Sequence, residues 1–275
     1  MDEGASTSVT HGLPSRQLGI EAGGRRLNAV WLGPGPDEAP TLVFLHEGLG
    51  SIGQWQDFPA ALAAASGCGA LVYDRYGYGG SEPLPPPYRR ELDFMHKEGR
   101  CALPEVLDRT DVKEAVLIGH SDGASIALLA ASTPDLRIRG VVSEAAHVFV
   151  EAASIESIEA AVAAYRTGDL REHLARYHGN TVDSAFRGWA NAWLDPDFEA
   201  FHIEGYLRAV TCPVLALQGS EDAYGTPAQL EAIAAAVSGP VRTMLLPDCG
   251  HSLHKDAREA VMLAAGDLIR VALER

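Results

Sequence analysis

No stretch of this chain stays apolar for the ~18 residues that a membrane-spanning helix requires. Cysteine is scarce: Cys68, Cys101, Cys212 and Cys249 lie far apart and form no C-x-x-C pair. Neither a zinc site nor a disulfide framework is suggested. Basic residues are few, 22 Lys and Arg against 37 Asp and Glu, for a formal net charge of -15. An acidic surface repels nucleic acid and anionic membrane, so neither is expected as a partner. The opening Met1-Asp2-Glu3-Gly4 has neither the basic nor the apolar region of a signal peptide, so a cytoplasmic location is the expectation. Internal repeats are absent, as are low-complexity tracts beyond some Ala-rich helical stretches.

What is present suits a globular α/β protein. The 275 residues are 47% hydrophobic and 21% charged, enough for a substantial core. Residues 1–15 are polar and patternless and read as a flexible arm. Gln17 to Ala22 and Arg26 to Leu32 flank Gly23-Gly24 as a hairpin would. Apolar runs of strand length follow at Thr41 to Leu45, Ala70 to Tyr73, Ala115 to Gly119, Ile138 to Ser143, Pro213 to Gln218 and Val241 to Leu246. Helical patterns lie between most of them, including Trp55 to Ala65, Glu91 to Leu107 (interrupted at Pro104), Thr226 to Val237 and 256–274. Strands alternating with helices predict a mostly parallel sheet, eight strands with the hairpin, covered by helices on both faces.

The alternation stops near Glu144. From 145 to 208 the patterns are helical, at Ala153 to Tyr165, Leu170 to Tyr177 and Thr181 to Leu194. The division expected is therefore a core of 16–144 and 209–275 with a helical cap at 145–208. A cap over a cleft shapes it and excludes water. Trp189 and Trp193 are its candidates for substrate contact, or else form its own core.

The most informative stretch is Ala115 to Ala130, where an apolar run enters Gly119-x-Ser121-x-Gly123 and leaves as a helix. A strand turning this sharply strains its middle residue, and the neighbours must be small for the backbones to approach. The serine hydroxyl is then held clear of the sheet beside a helix N-terminus. Such a serine needs a base, and the base needs a carboxylate to fix its tautomer. The carboxyl ends of parallel strands converge on one crevice. Three such ends carry Ser121, Asp222 and His251, with Glu221 competing for the acid and His254 for the base. His120, inside the turn, is expected to pack beneath it. An oxyanion would find the backbone N–H of Asp122 and one from the loop after His46, Gly48 or alternatively Leu49. Glu47 is the odd neighbour: a carboxylate opposes a developing negative charge unless it points away or is paired. It is counted with Asp122, Trp189 and Trp193 as a candidate substrate contact.

From about Gln17 onward the chain resembles the α/β-hydrolase superfamily. The matching pieces are His46-Glu47-Gly48, Asp74-Arg75-Tyr76-Gly77-Tyr78-Gly79-Gly80-Ser81, the Ser121 turn, Gly219-Ser220-Glu221-Asp222 and Gly250-His251. The superfamily usually has Gly where Glu47 stands. Within it, Asp after the serine, the helical insert and Gly250-His251-Ser252-Leu253-His254 look most like the valacyclovir hydrolase (biphenyl hydrolase-like) branch. That resemblance implies that Asp122 binds a substrate ammonium and makes amino-acid esters candidates. The superfamily's dehalogenases and epoxide hydrolases use an Asp nucleophile, which Ser121 disfavours. The function expected is a serine hydrolase of a small carboxylic ester or lactone, with no cofactor or metal and a small-molecule substrate. Carbon–carbon (diketone) hydrolysis, thioester hydrolysis and a ligand receptor of the same fold are the alternatives. Oligomeric state is open.

Overall fold

The structure is a computed structural model and describes residues 11–274. Eight strands form one sheet: β1 (Ser15–Ala22), β2 (Arg25–Leu32), β3 (Thr41–Leu45), β4 (Gly69–Tyr73), β5 (Ala115–His120), β6 (Ile138–Glu144), β7 (Val214–Gly219) and β8 (Val241–Leu246). Their spatial order is β1-β2-β4-β3-β5-β6-β7-β8. β1 and β2 form the antiparallel hairpin, β2 joins β4 antiparallel, and the other pairs are parallel. Every residue of β3, β4 and β5 is buried, which is why they read as unbroken apolar runs.

Helices complete both layers: α1 (Phe58–Ser66), α2 (Phe94–Lys97), α3 (Leu103–Arg109), α4 (Asp122–Ala131), α5 (Ala152–Thr167), α6 (Leu170–His178), α7 (Val182–Trp193), α8 (Glu204–Leu207), α9 (Ala228–Ala236), α10 (Leu253–Asp256) and α11 (Arg258–Leu273). The strand pleat sorts the core into two. Val43, Leu45 and Leu117 face α3, α4 and α7, while Leu42, Phe44 and Ile118 face α1 and α11. α4 is buried along its whole length, since the sheet lies on one side and the helical segment after β6 contributes to the same cluster.

Three expectations need correction. Residues 1–10 of the expected arm lie outside the described residues, but its remainder is tied down. His11 Nε2 is 2.8 Å from Asp57 Oδ2, the Pro14 carbonyl accepts from Gly33 N, and Ser15 opens β1. Second, the helix expected over 91–107 runs instead through α2, a wider turn at Glu98–Ala102 and α3. Pro104 is the second residue of α3, directly after the wider turn, where the helical hydrogen-bond ladder already changes register. Third, the helix expected over 256–274 begins earlier, as α10 and α11 divided at Ala257. Between β6 and β7 the chain is helical, and one isolated bridge pairs Phe149 with His202.

Candidate active site

Ser121 lies between the last residue of β5 and the first of α4, with φ 54° and ψ -121°. That left-handed conformation is costly for any residue with a Cβ and persists only where its surroundings enforce it. Its glycine neighbours allow the approach. A Cβ on Gly123 would lie 2.0 Å from the Leu45 carbonyl oxygen, and one on Gly119 would lie 2.4 Å from that of Gly123.

Asp222 and His251 stand on the loops after β7 and β8. His251 Nδ1 is 2.9 Å from Asp222 Oδ1 and 2.8 Å from Oδ2. The carboxylate also accepts from Gln218 Nε2 and from the backbone N–H of Tyr224. Burial pushes the Asp222 carboxyl up, but the His251 hydrogen bond and charge outweigh it and hold the group below the usual carboxylate value. Burial also lowers the His251 imidazole, only partly offset by Asp222. With Nδ1–H donating to Asp222, the neutral ring keeps the Nε2 lone pair, the form a general base requires.

Ser121, Asp122 and His251 line one cavity of about 220 Å³, together with Glu47, Gly48, Leu49, Trp189 and Trp193. The preferred sequence candidates meet there except Asp222, which reaches it through His251, while Glu221, the competing acid, is exposed. His254, the competing base, is turned away. It is 2% exposed, and its Nδ1 and backbone N–H both face Glu144 Oε2. His120 packs beneath the turn as expected, with Nε2 2.8 Å from the His251 carbonyl oxygen. Glu47 is paired: its Oε2 lies 3.4 Å from His120 Nδ1. Burial opposes its charge, yet His120 holds its pKa well below the ordinary carboxylate value.

Asp122 is fully buried at the first position of α4, so its backbone N–H has no partner within the helix. Its Oδ1 accepts from Trp193 Nε1 at 3.1 Å. Its Oδ2 has no hydrogen-bond donor, and Arg75 Nη2 stands 3.9 Å away. Burial raises the carboxyl to about 6, with Arg75 opposing. Gly48 packs directly against α7, and a Cβ there would fall 2.2 Å from Trp189 Nε1.

Two residues on the cavity wall, His147 and Tyr224, and one behind it, Arg75, were not singled out from sequence. His147, three residues beyond β6, is buried with Nδ1 unpartnered, and burial drops its pKa to about 3. Its place just past the carboxyl end of a central strand was the available signal. The Tyr224 ring centre lies 4.7 Å from that of His251. Arg75, inside the quoted Asp74 to Ser81 stretch, buries its guanidinium and donates from Nη2 to the Glu47 carbonyl and from Nη1 to Glu98 Oε2. Among the described residues no three His, Cys, Asp or Glu side chains gather to hold a metal ion. Nor is any described helix long and apolar enough to cross a membrane.

Comparison with known proteins bears on this arrangement. Residues 42–264 match the sequence model of the alpha/beta hydrolase family. The chain is 27% identical over 260 residues to the dihydrolipoyllysine-residue acetyltransferase component of the acetoin cleaving system of Pseudomonas putida. That match takes in 88% of this chain and 66% of the relative, so the chain spans just under two thirds of its length. An esterase from Thermogutta terrifontis superposes with a TM-score of 0.72 at 18% identity, covering 94% of this chain and 99% of the other. The enol-lactonase from Burkholderia xenovorans gives 0.70 at 19% identity, covering 92% and 100%. At such identities the two structures show a shared fold.

Proposed function

Because the chain belongs to the alpha/beta hydrolase family, we propose that it is a serine hydrolase of small carboxylic esters or lactones. One observation carries this reading: Ser121, held in left-handed backbone, lines the same cavity as His251, whose other ring nitrogen is bonded to Asp222. In this reading His251 Nε2 takes the Ser121 hydroxyl proton as Oγ attacks the carbonyl. Asp222 steadies the imidazolium that results. The N–H of Asp122 and one from the loop at Gly48 hold the oxyanion. The imidazolium then protonates the departing alcohol, and a water deprotonated by His251 releases the acid. Every group named belongs to this chain, and the step asks for no cofactor.

The helical segment 145–208 serves as the lid. Ile158 of α5 and Trp189 and Trp193 of α7 contribute to the cavity wall, which supports that role. A space of about 220 Å³ suits a short acyl group. The valacyclovir hydrolase resemblance adds amino-acid esters, whose ammonium would meet Asp122. We rank simple acyl esters and lactones first, because Trp193 already occupies Asp122 Oδ1 and Arg75 already faces Oδ2. Diketone and thioester cleavage call on the same groups.

The test is a screen of p-nitrophenyl esters of increasing acyl length, extended to amino-acid esters, lactones, thioesters and a diketone, with Ser121→Ala as control. Steady ester turnover that vanishes in Ser121→Ala is the expected result. Turnover that survives the substitution refutes the mechanism. Cleavage of the diketone but of no ester moves the assignment to carbon–carbon hydrolysis. A single burst without turnover moves it to a ligand receptor.

A further inference from the structure

Beneath the candidate triad lies a layer of buried titratable side chains that the proposed reaction does not use. His120 is 1% exposed; its Nε2 is hydrogen-bonded, while its Nδ1 has no hydrogen-bond partner and stands at ion-pair distance from one carboxylate. Nε2 lies 2.8 Å from the His251 carbonyl oxygen, and Nδ1 lies 3.4 Å from Glu47 Oε2. A carbonyl oxygen only accepts, so Nε2 must carry a proton and donate it. A neutral ring would then turn the bare Nδ1 lone pair toward a carboxylate oxygen, acceptor against acceptor. A second proton between Nδ1 and Glu47 removes that conflict. Carboxyl groups are more acidic than imidazolium, so the proton resides on the ring and the two form an ion pair.

The sequence positions give this pair its reach. His120 immediately precedes Ser121, Glu47 immediately precedes Gly48, and the His120 bond ends on the backbone of His251. One imidazolium therefore joins the strained turn, the oxyanion loop and the loop bearing the base. We propose that the Glu47–His120 ion pair is a positioning device for the hydrolysis, tethering the His251 loop and the oxyanion loop to the Ser121 turn while holding a positive charge against His251. The inference rests on the serine-hydrolase reading.

The surrounding charges decide the direction of the effect. The His120 and His251 ring centres are 5.0 Å apart. His251 also faces Asp222 at its Nδ1 and the His147 ring 6.0 Å away, and of the pair the His120 cation acts on it more strongly than Glu47, which pulls the other way. Glu144, at the end of β6, adds a negative field at His120. Lys255 on α10 and His46 on the oxyanion loop bear on Glu47. His254, also on α10, has its ring centre 5.1 Å from that of His120, with Glu144 as its own carboxylate. The cation opposes protonation of His251 and keeps the base free at lower pH.

Glu47→Gln tests this with little change of shape. An amide opposite Nδ1 can donate to it, so His120 gives up its extra proton while Nε2–H still holds the His251 carbonyl. The acid limb of the kcat/KM profile is then expected to move upward by about one pH unit. A side chain that merely packs would alter the rate without moving that limb. His120→Leu removes the tether itself and is expected to lower kcat by about tenfold or more. ¹⁵N NMR of the wild-type histidine side chains supplies a readout independent of turnover. It is expected to show His120 protonated at both nitrogens at neutral pH. A neutral His120 ring, or an acid limb unmoved in folded Glu47→Gln, overturns the proposal. Turnover that survives Ser121→Ala instead sinks the hydrolase reading, a distinct result.

Discussion

Gly48 packs directly against Trp189 of α7, and Gly48→Ala exposes what that contact does. The added methyl would sit 2.2 Å from Trp189 Nε1, 2.3 Å from Trp189 Cδ1 and 3.1 Å from Asp122 Oδ2. Contacts near 2 Å between heavy atoms cannot persist, so either the indole swings away or the loop retreats from Ser121. Trp189 is 6% exposed on α7 and has little room to swing. The loop is therefore expected to yield, carrying its N–H away from the oxyanion. Loss of one such donor costs about 10²–10³ in kcat, and the overpacking destabilises the fold by about 1–3 kcal/mol. The assay is kcat on the best p-nitrophenyl ester, beside urea unfolding. Trp189→Ala and the double variant complete the cycle. If steric pressure is the cause, removing the indole restores at least about tenfold of the lost rate, a coupling of about 1.4 kcal/mol. Gly48→Ala that keeps its rate within about twofold would refute the loop N–H as a donor. A double variant no faster than Gly48→Ala would refute the clash.

Asp222→Asn leaves the loop shape but favours the wrong His251 tautomer, so kcat is expected to fall by about 10⁴; a loss under tenfold would show that the acid lies elsewhere. Because burial keeps the His251 pKa below its ordinary 6.5, the acid limb of wild-type kcat/KM is expected beneath that value, and a limb above it would contradict the site. Asp122 titrates at about 6 in the fold against 3.8 when exposed. Its raised pKa means that stability falls as pH climbs between those values and stays lower above them, by roughly 3 kcal/mol. Asp122→Asn is thus expected to gain up to that amount in urea unfolding at about pH 8 and much less at about pH 4; a gain that does not grow with pH would refute this. His254→Ala strands the Glu144 carboxylate, which is fully buried, and is expected to cost about 3–5 kcal/mol; a loss under about 1 kcal/mol in the same urea assay would show that water reaches Glu144.

What could be read from sequence is what local pattern dictates. β3 and β5 announced themselves because strands buried on both faces must be apolar throughout, and Ser121 because only glycine fits at Gly119 and Gly123. Asp222 and His251 followed from the rule that strand ends converge, which needs no distances. The carboxylate of Glu47 was not legible, since its meaning depends on His120, which reaches it only when β3 and β5 lie side by side. His147 on the cavity wall and Arg75 behind Glu47 and Asp122 were hidden for the same reason. Arg75 reads as a loop cation in an acidic protein, yet the fold buries it between Glu98 and Asp122. Pattern reveals a residue whose neighbours in sequence constrain it, whereas a buried charge is constrained by partners dozens of positions away. Glu47 breaks the small-residue habit of an oxyanion loop, and such a departure survives only where something remote compensates for it. The imidazolium of His120 is that compensation, and it ties the residue least explicable from sequence to the layer beneath the site.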